Sequence, residues 1–250
     1  MNLFGPGWKI TNINAVIFDK DGTIIDSHKY WGAIIKRRSA ALIKELNLSG
    51  NFYEKICTTM GYSIKERRLL PSGPIALVNR EQVIKILTRY FKKNKIKIRS
   101  EKIDEIFIFV HKEFLKVMYK YIKILPGIKK ILKKIKRKNI KVALLTSDSF
   151  ENATEIMKYL KLHTFFDVIA GRELTMFAKA TGLPAKILCK QLKIAPKETV
   201  CIGDAPMDIK MGKKAGLKAS VAISLGQTPL ADLRQKTKFV IKTYSDLKVE

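Results

Sequence analysis

The 250-residue sequence predicts an α/β fold, in which a doubly wound parallel sheet is interrupted by an all-helical insertion. Strand and helix patterns alternate with short loops in the second half of the chain, which is typical of a parallel sheet. From about residue 28 to residue 124 the apolar residues instead have helical spacing, with no convincing strand. We therefore expect a core of residues 1–27 and 125–250 and a helical domain of residues 28–124.

The elements of the core can be assigned in order. The apolar run 13–18 predicts a buried strand, and Pro126-Gly127 marks the return from the insertion. The pattern after it predicts, in order, helix 128–138, strand 140–145, helix 150–160, strand 166–170, helix 184–192, strand 199–202, helix 206–215 and strand 219–224. Ligands of such sheets bind at the carboxyl ends of the strands, so the site is expected there.

The composition limits the classes of partner. The formal net charge is +27, from 49 Lys and Arg against 22 Asp and Glu. Because the lysines are spread along most of the chain, this charge indicates solvated helix faces rather than one nucleic-acid site. A positive field also attracts a phosphorylated substrate. We expect a small phosphorylated metabolite as the partner and no nucleic acid, while the sequence does not determine the oligomeric state.

The cysteines and the apolar runs bear on location. Cys57, Cys189 and Cys201 form no closely spaced pairs, which argues against a disulfide framework or a zinc site. No apolar run approaches the ~20 residues that span a bilayer, and residues 1–10 do not resemble an export signal. We expect a cytoplasmic protein with no membrane partner.

The segment Asp19-Lys-Asp-Gly-Thr follows the first predicted strand and is the main candidate for chemistry. Strand side chains alternate between faces, so Asp19 and Asp21 can point the same way while Lys20 points elsewhere, provided that the chain is still extended as it leaves the sheet. Such a pair can hold a divalent cation or divide nucleophile and acid/base roles. An ordinary Asp-Gly turn is the alternative interpretation of this segment.

Two further strand ends carry polar residues. The strand that ends at Leu145 is followed by Thr146 and Ser147, and Gly203-Asp204 is followed by Asp208 one helical turn later. Acids in a first helical turn can be simple caps. At the same sheet edge as Asp19 and Asp21, however, they would repel one another unless a cation such as Mg²⁺ neutralised them.

These segments resemble the four motifs of the haloacid dehalogenase-like (HAD) superfamily, in its phosphoglycolate phosphatase-like branch. The resemblance implies a Rossmann-like core with a helical cap inserted between the first two motifs. It also implies a phosphatase with an aspartyl-phosphate intermediate, in which Asp19 is the nucleophile and Asp21 the acid/base, a role that requires a raised pKa. Mg²⁺ would be held by Asp19, Asp204 and the backbone carbonyl of Asp21, with Asp208 nearby.

The resemblance also implies a phosphate site. Thr146 and the third-motif lysine would contact the phosphoryl oxygens, and the neighbouring residues expected around the phosphate are Gly22, Thr23 and Ser147. The third motif departs from the family pattern, because Lys179 is followed by Ala180 rather than by proline. Lys179, in the loop before the predicted helix 184–192, is assigned the role, and Lys186, inside that helix, is the alternative.

Two rival functions stay open. A phosphomutase of the same fold would pass the phosphoryl group between positions of one sugar instead of to water. A basic nucleic-acid-binding protein would use the fold as a scaffold, without catalysis. Within the resemblance, the second acid Asp21 favours a phosphate ester over a halogenated substrate, since a C–halogen bond needs no proton on its leaving group.

Overall fold

A computed structural model describes residues 1–76, 78–174 and 179–250. The chain divides into two compact units. One comprises Met1–Asp26 with Ile124–Glu250, here called the core unit, and the other comprises Ser27–Lys123, here called the inserted unit. Within the described ranges, none of the helices combines the length and the apolar character needed to cross a membrane.

The strands and helices follow one another along the chain with these bounds. They are β1 (Leu3–Gly5), β2 (Trp8–Ile10), β3 (Ala15–Phe18), α1 (Ser27–Glu45), α2 (Phe52–Thr59), β4 (Tyr62–Ser63), β5 (Arg68–Leu69), α3 (Arg80–Lys93), α4 (Ser100–Leu115), α5 (Ile128–Arg137), β6 (Lys141–Leu145), α6 (Phe150–Tyr159), β7 (Val168–Ala170), α7 (Leu183–Leu192), β8 (Thr199–Gly203), α8 (Pro206–Ala215), β9 (Ala219–Ile223), α9 (Leu230–Arg234), β10 (Val240–Ile241) and β11 (Lys248–Val249).

The core unit is built on a six-stranded sheet of order β10-β9-β8-β3-β6-β7. Each neighbouring pair is parallel. The central strand β3 is buried along its whole length. Ala15 and Ile17 point to one face, where they pack with apolar residues of α7 and α8, while Val16 and Phe18 are buried on the other face. This confirms the predicted Rossmann-like α/β fold.

The predicted elements of the core agree with the structure to within about two residues at each end. Strand β7 begins at Val168 rather than at residue 166, because His163–Phe165 forms a 3₁₀ turn just before it.

A second, smaller sheet in the core unit was missed by the sequence analysis. It has the order β11-β1-β2, with antiparallel pairing of Leu3 to Val249 and to Ile10. The sheet joins the first and last residues of the described chain, because Asn2 and Glu250 also exchange backbone hydrogen bonds of 2.6 and 3.0 Å. Strands of two or three residues are too short to give a recognisable alternation.

The inserted unit has its own apolar core, in which α1, α2, α3 and α4 contribute buried residues such as Leu42, Ile56, Leu87 and Phe107. It differs from the expected all-helical insertion in one place, since β4 and β5 form a short antiparallel hairpin. His28, at the start of α1, is partly buried. Its Nδ1 accepts a hydrogen bond of 3.0 Å from the backbone N–H of Leu69, which ties the start of α1 to the hairpin.

Candidate active site

The register of the sheet brings three strand ends to one edge. Phe18, the last residue of β3, lies between Leu144 of β6 and Ile202 of β8. Asp19 directly follows β3, and Thr146 and Asp204 directly follow the two neighbouring strands. The backbone N–H of Asp19 still bonds to the Ile202 carbonyl at 2.9 Å, so the chain remains fixed to the sheet where the first carboxylate occurs.

A tight turn follows Asp19. The carbonyl of Lys20 accepts hydrogen bonds from the N–H groups of Ile24 and Ile25 at 2.8 and 3.1 Å. Gly22 has a φ of +75°, in the left-handed region, and a Cβ at this position would overlap the carboxylate of Asp204. Glycine is therefore required here both for backbone conformation and for space.

Lys179 lies between two carboxylates. Its Nζ is 2.6 Å from Asp19 Oδ1 and 2.6 Å from Asp208 Oδ1, and its side chain is only 5% exposed. Burial opposes the charge of the ammonium, but the two carboxylates outweigh it and raise the pKa of Lys179 above its ordinary value. Lys186, the other candidate for this position, is exposed on α7.

Asp208 uses both of its oxygens within the protein. Oδ1 contacts Lys179, and Oδ2 accepts a hydrogen bond of 3.1 Å from the backbone N–H of Ala205 at the start of α8. A Cβ on Gly203 would overlap this side chain. Asp208 is therefore a fixed counter-charge that holds Lys179 against Asp19.

The carboxylate of Asp204 packs closely against the backbone of Gly226 and Gln227. Its Oδ2 accepts a hydrogen bond of 3.2 Å from the N–H of Gln227, and a Cβ on Gly226 would overlap the carboxylate. The side chain is 7% exposed. Burial, and then the charges of Asp19 and Asp208, raise the pKa of Asp204 well above its ordinary value.

The three acids Asp19, Asp204 and Asp208 have ligand oxygens within 4.8 Å of one another. Burial and, after it, the neighbouring acids raise the pKa of Asp19 to about 7 against the pull of Lys179. Crowded buried carboxylates of this kind are stabilised by a hard cation with oxygen ligands. The residues therefore fit a divalent cation such as Mg²⁺.

The carboxyl of Asp21 is not one of the three clustered acids. Its Oδ1 lies 3.3 Å from Lys20 Nζ, and the side chain is 21% exposed. Burial raises the pKa of Asp21 above its ordinary value, although Lys20 partly opposes this. A carboxyl with a raised pKa is suited to donate and accept a proton.

The expectation that Lys20 points away from the acids was wrong. The chain leaves the extended conformation directly after Asp19, so the alternation of faces that the expectation assumed no longer applies. Lys20 is fully buried, and its Nζ lies 2.9 Å from Asp148 Oδ2.

The second strand end carries Thr146 and Ser147. Thr146 is 1% exposed, and its Oγ1 accepts a hydrogen bond of 3.2 Å from the N–H of Asp148. Ser147 is exposed. Thr23, the remaining predicted phosphate-binding residue, is fully buried, and its carbonyl accepts a hydrogen bond of 2.7 Å from Tyr244 Oη.

Three residues near the site were not assigned a role from the sequence, namely Asp148, Gly226 and Tyr244. The sequence position of Asp148 could have indicated a role at the site, because it stands two residues after Thr146 at a predicted strand end. Gly226 and Tyr244 lie beyond the last predicted strand, and no spacing connects them to the motifs.

A parallel α/β sheet that brings a strand-end carboxylate, a buried lysine and an acid cluster to one edge is an arrangement suited to a hydrolytic enzyme. The family model described as haloacid dehalogenase-like hydrolase matches residues 13–216. The chain belongs to this family.

Relatives with assigned names are similar over most of the chain. It is 28% identical over 211 residues to a phosphoglycolate phosphatase of Aquifex aeolicus, covering 84% of this chain and 85% of that protein. It is 27% identical over 206 residues to a phosphorylated carbohydrates phosphatase of Thermotoga maritima, covering 82% of each. A crystal structure of a predicted phosphoglycolate phosphatase from Haemophilus somnus matches with a TM-score of 0.73 and 19% identity, over 95% of this chain and 97% of that one, which supports the fold.

Proposed function

We propose that this protein is a Mg²⁺-dependent phosphatase that hydrolyses a small phosphate monoester through an aspartyl-phosphate on Asp19. The observation that carries the proposal is the contact of Lys179 Nζ with Asp19 Oδ1 at 2.6 Å. It places a buried cation against the first carboxylate, at the edge of the sheet where ligands bind.

In the first step, an Asp19 oxygen attacks phosphorus and the bond from phosphorus to the leaving oxygen breaks. Asp21 gives its proton to that oxygen, which leaves as an alcohol. Lys179 and the hydroxyl of Thr146 contact the phosphoryl oxygens, together with Ser147 and the turn at Gly22 and Thr23. Negative charge spreads over these oxygens in the transition state, so positioned cations and donors lower the barrier.

In the second step, Asp21, now a carboxylate, takes a proton from a water molecule that attacks phosphorus. Inorganic phosphate leaves and Asp19 is restored. Mg²⁺, when held by Asp19, Asp204 and the Asp21 backbone carbonyl, supplies positive charge that keeps Asp19 ionised and neutralises the phosphate. Asp208 keeps Lys179 in position throughout.

The names of the relatives support a small phosphorylated metabolite as the substrate, with phosphoglycolate and sugar phosphates as the first candidates. We also propose a reducing cytoplasm as the location, since Cys57, Cys189 and Cys201 are buried free thiols.

The test is a phosphate-release screen with Mg²⁺ over phosphoglycolate, sugar phosphates, nucleotides and p-nitrophenyl phosphate. The variant is Asp19→Asn, and the matched control is Asp232→Asn, at an exposed carboxylate on α9. We expect release by the wild type and the control only. No release from any ester, or equal release by Asp19→Asn, would refute the phosphatase.

The same screen separates the rivals. A phosphomutase would convert one sugar phosphate into its isomer with little free phosphate. A nucleic-acid-binding protein would bind polyanions with a steep salt dependence, and that binding would be unchanged in Asp19→Asn.

A further inference from the structure

Among the described residues, Lys20 is one of two buried lysines in a lysine-rich chain. Of all the lysines in the described ranges, only Lys20 and Lys179 are buried, and Lys20 has no exposed surface. A lysine is almost never fully buried unless it is paired, since removing its charge from water is costly. Lys179 already has a role at Asp19, so the burial of Lys20 requires a separate explanation.

The ammonium of Lys20 lies between carboxylates from two strand ends. It is 2.9 Å from Asp148 Oδ2, in the loop after β6, and 3.3 Å from Asp21 Oδ1, in the turn after β3. The contact fixes the carboxyl of Asp21 relative to the strand that carries Thr146.

Asp148 is itself held in place. Its Oδ1 accepts a hydrogen bond of 2.9 Å from the backbone N–H of Ser149, and its Oδ2 accepts one of 2.5 Å from Asn152 Nδ2. Burial works against its charge, but Lys20 and these donors outweigh it and lower the pKa of Asp148 below its ordinary value. A fixed anion therefore sets the position of the Lys20 ammonium.

The two oxygens of Asp21 are not equivalent. Oδ1 is buried from solvent and faces Lys20, while the side chain as a whole keeps 21% of its surface exposed. The oxygen beside a cation is the poorer place for a proton, because the ammonium stabilises negative charge there. Lys20 therefore contacts one oxygen of Asp21, Oδ1, and its charge favours a proton on the other.

We propose that Lys20, held by Asp148, is a positioning residue that fixes Oδ1 of Asp21 so that Oδ2 delivers the proton to the leaving oxygen. The proposal rests on the proposed function. As the bond from phosphorus to the leaving oxygen breaks, the proton on Oδ2 moves to that oxygen and Asp21 becomes a carboxylate paired with Lys20. In the second step Oδ2 takes a proton from the attacking water.

In a purely structural role, the ion pair of Lys20 and Asp148 would only hold the two strand ends together. The dependence on the leaving group separates the two roles. An alkoxide needs a proton in order to leave, whereas p-nitrophenolate leaves without one. Loss of a purely structural ion pair would lower activity equally on both kinds of ester.

The experiment measures kcat/KM for phosphate transfer from p-nitrophenyl phosphate, phenyl phosphate and an alkyl phosphate that the wild type hydrolyses. This ratio reports the steps up to and including the first phosphoryl transfer. The variants are Lys20→Met and the isosteric Asp148→Asn. The matched control is Lys141→Met, at a half-exposed lysine paired with Asp167 on the surface.

For Lys20→Met we expect a loss of about 10²-fold on the alkyl ester and of less than about threefold on p-nitrophenyl phosphate, since positioned general acids contribute 10²–10⁴-fold. Phenyl phosphate should fall between them. Asp148→Asn keeps the side-chain shape, and its losses of kcat/KM should rank the three esters in the same order but be smaller. If Lys20→Met does not fold, Asp148→Asn alone tests the proposal. Lys141→Met should match the wild type.

Equal losses on all three esters, or no loss on the alkyl ester, would overturn the positioning role while the phosphatase stands. A wild type that releases phosphate from none of the esters would overturn the proposed function itself, and this inference with it.

Discussion

Replacing Lys179 with methionine tests the electrostatics of the site most strongly. The substitution keeps an unbranched side chain of similar length and removes the ammonium that lies 2.6 Å from both Asp19 and Asp208. The two carboxylates are 12% and 4% exposed, so water cannot replace the lost cation. Removing one partner of a buried ion pair generally costs about 3–5 kcal/mol.

The carboxylates can limit this cost by taking up a proton. Asp19 already has a pKa of about 7, so the cost falls on the carboxylate that stays charged. Protonating a carboxyl whose pKa in the unfolded chain is about 3.9 costs roughly 4 kcal/mol at pH 7, because each pH unit is worth about 1.36 kcal/mol. The penalty should therefore be near 4 kcal/mol at pH 7 and should decrease by about 1.4 kcal/mol per unit as the pH falls toward 4. At roughly 2–4 °C per kcal/mol, Tm at pH 7 should fall by about 8–16 °C.

The assay is thermal unfolding of the wild type and Lys179→Met, in a chelating buffer, at several pH values from 4 to 7. The matched control is Lys186→Met, at an exposed lysine of the neighbouring helix, and it should unfold like the wild type. Equal Tm values for the two variants at pH 7, or a Tm loss in Lys179→Met that does not change with pH, would show that the buried ammonium does not stabilise these carboxylates.

Three further predictions concern the same edge of the sheet. Asp19 has a raised pKa of about 7, so the folded state binds more protons than the unfolded state between about pH 4 and pH 7. The contribution of Asp19 to the stability of the metal-free protein should therefore decrease as the pH rises through this window. Urea titrations at each pH would measure this change. Gly226→Ala should displace the carboxylate of Asp204 and weaken Mg²⁺ binding, measured by calorimetry, about tenfold or more. The control Gly50→Ala, where a Cβ meets nothing within 4 Å, should bind Mg²⁺ as the wild type does. Tyr244→Phe removes the hydrogen bond of 2.7 Å to the carbonyl of Thr23, in the turn after Asp19, and leaves that buried carbonyl without its donor. Unfolding in urea should therefore show a loss of about 1–3 kcal/mol.

Most of the core could be predicted from the sequence, because its strands are continuous apolar runs with helices between them. Strand β3 is four buried apolar residues, and β6, β8 and β9 are buried along all or nearly all of their length. Parallel strands end at one edge, so the proximity of Asp19, Thr146 and Asp204 followed from the order of the elements alone. The sequence assigned the third-motif role to Lys179 but left Lys186 as an alternative, since both lie near the start of α7.

What the sequence could not predict depends on contacts between distant residues. The pairing of β1 with β11 joins the two ends of the described chain, and such short strands carry no pattern of their own. The orientation of Lys20 was mispredicted because alternation of faces stops where the strand ends. Its partner Asp148 is 128 residues away, and only the sheet register brings the two together.

The central claim is that Asp19 carries the phosphoryl group between the two steps, and trapping that intermediate tests it most directly. Asp21→Asn should transfer phosphate from p-nitrophenyl phosphate, whose leaving group needs no proton, and should then stall because the base that activates water is missing. With ³²P-labelled ester and Mg²⁺, we expect close to one acid-stable, hydroxylamine-labile label per chain on Asp19, and none in Asp19→Asn. A label on another residue, or phosphate release with no labelled protein at any time, would contradict it.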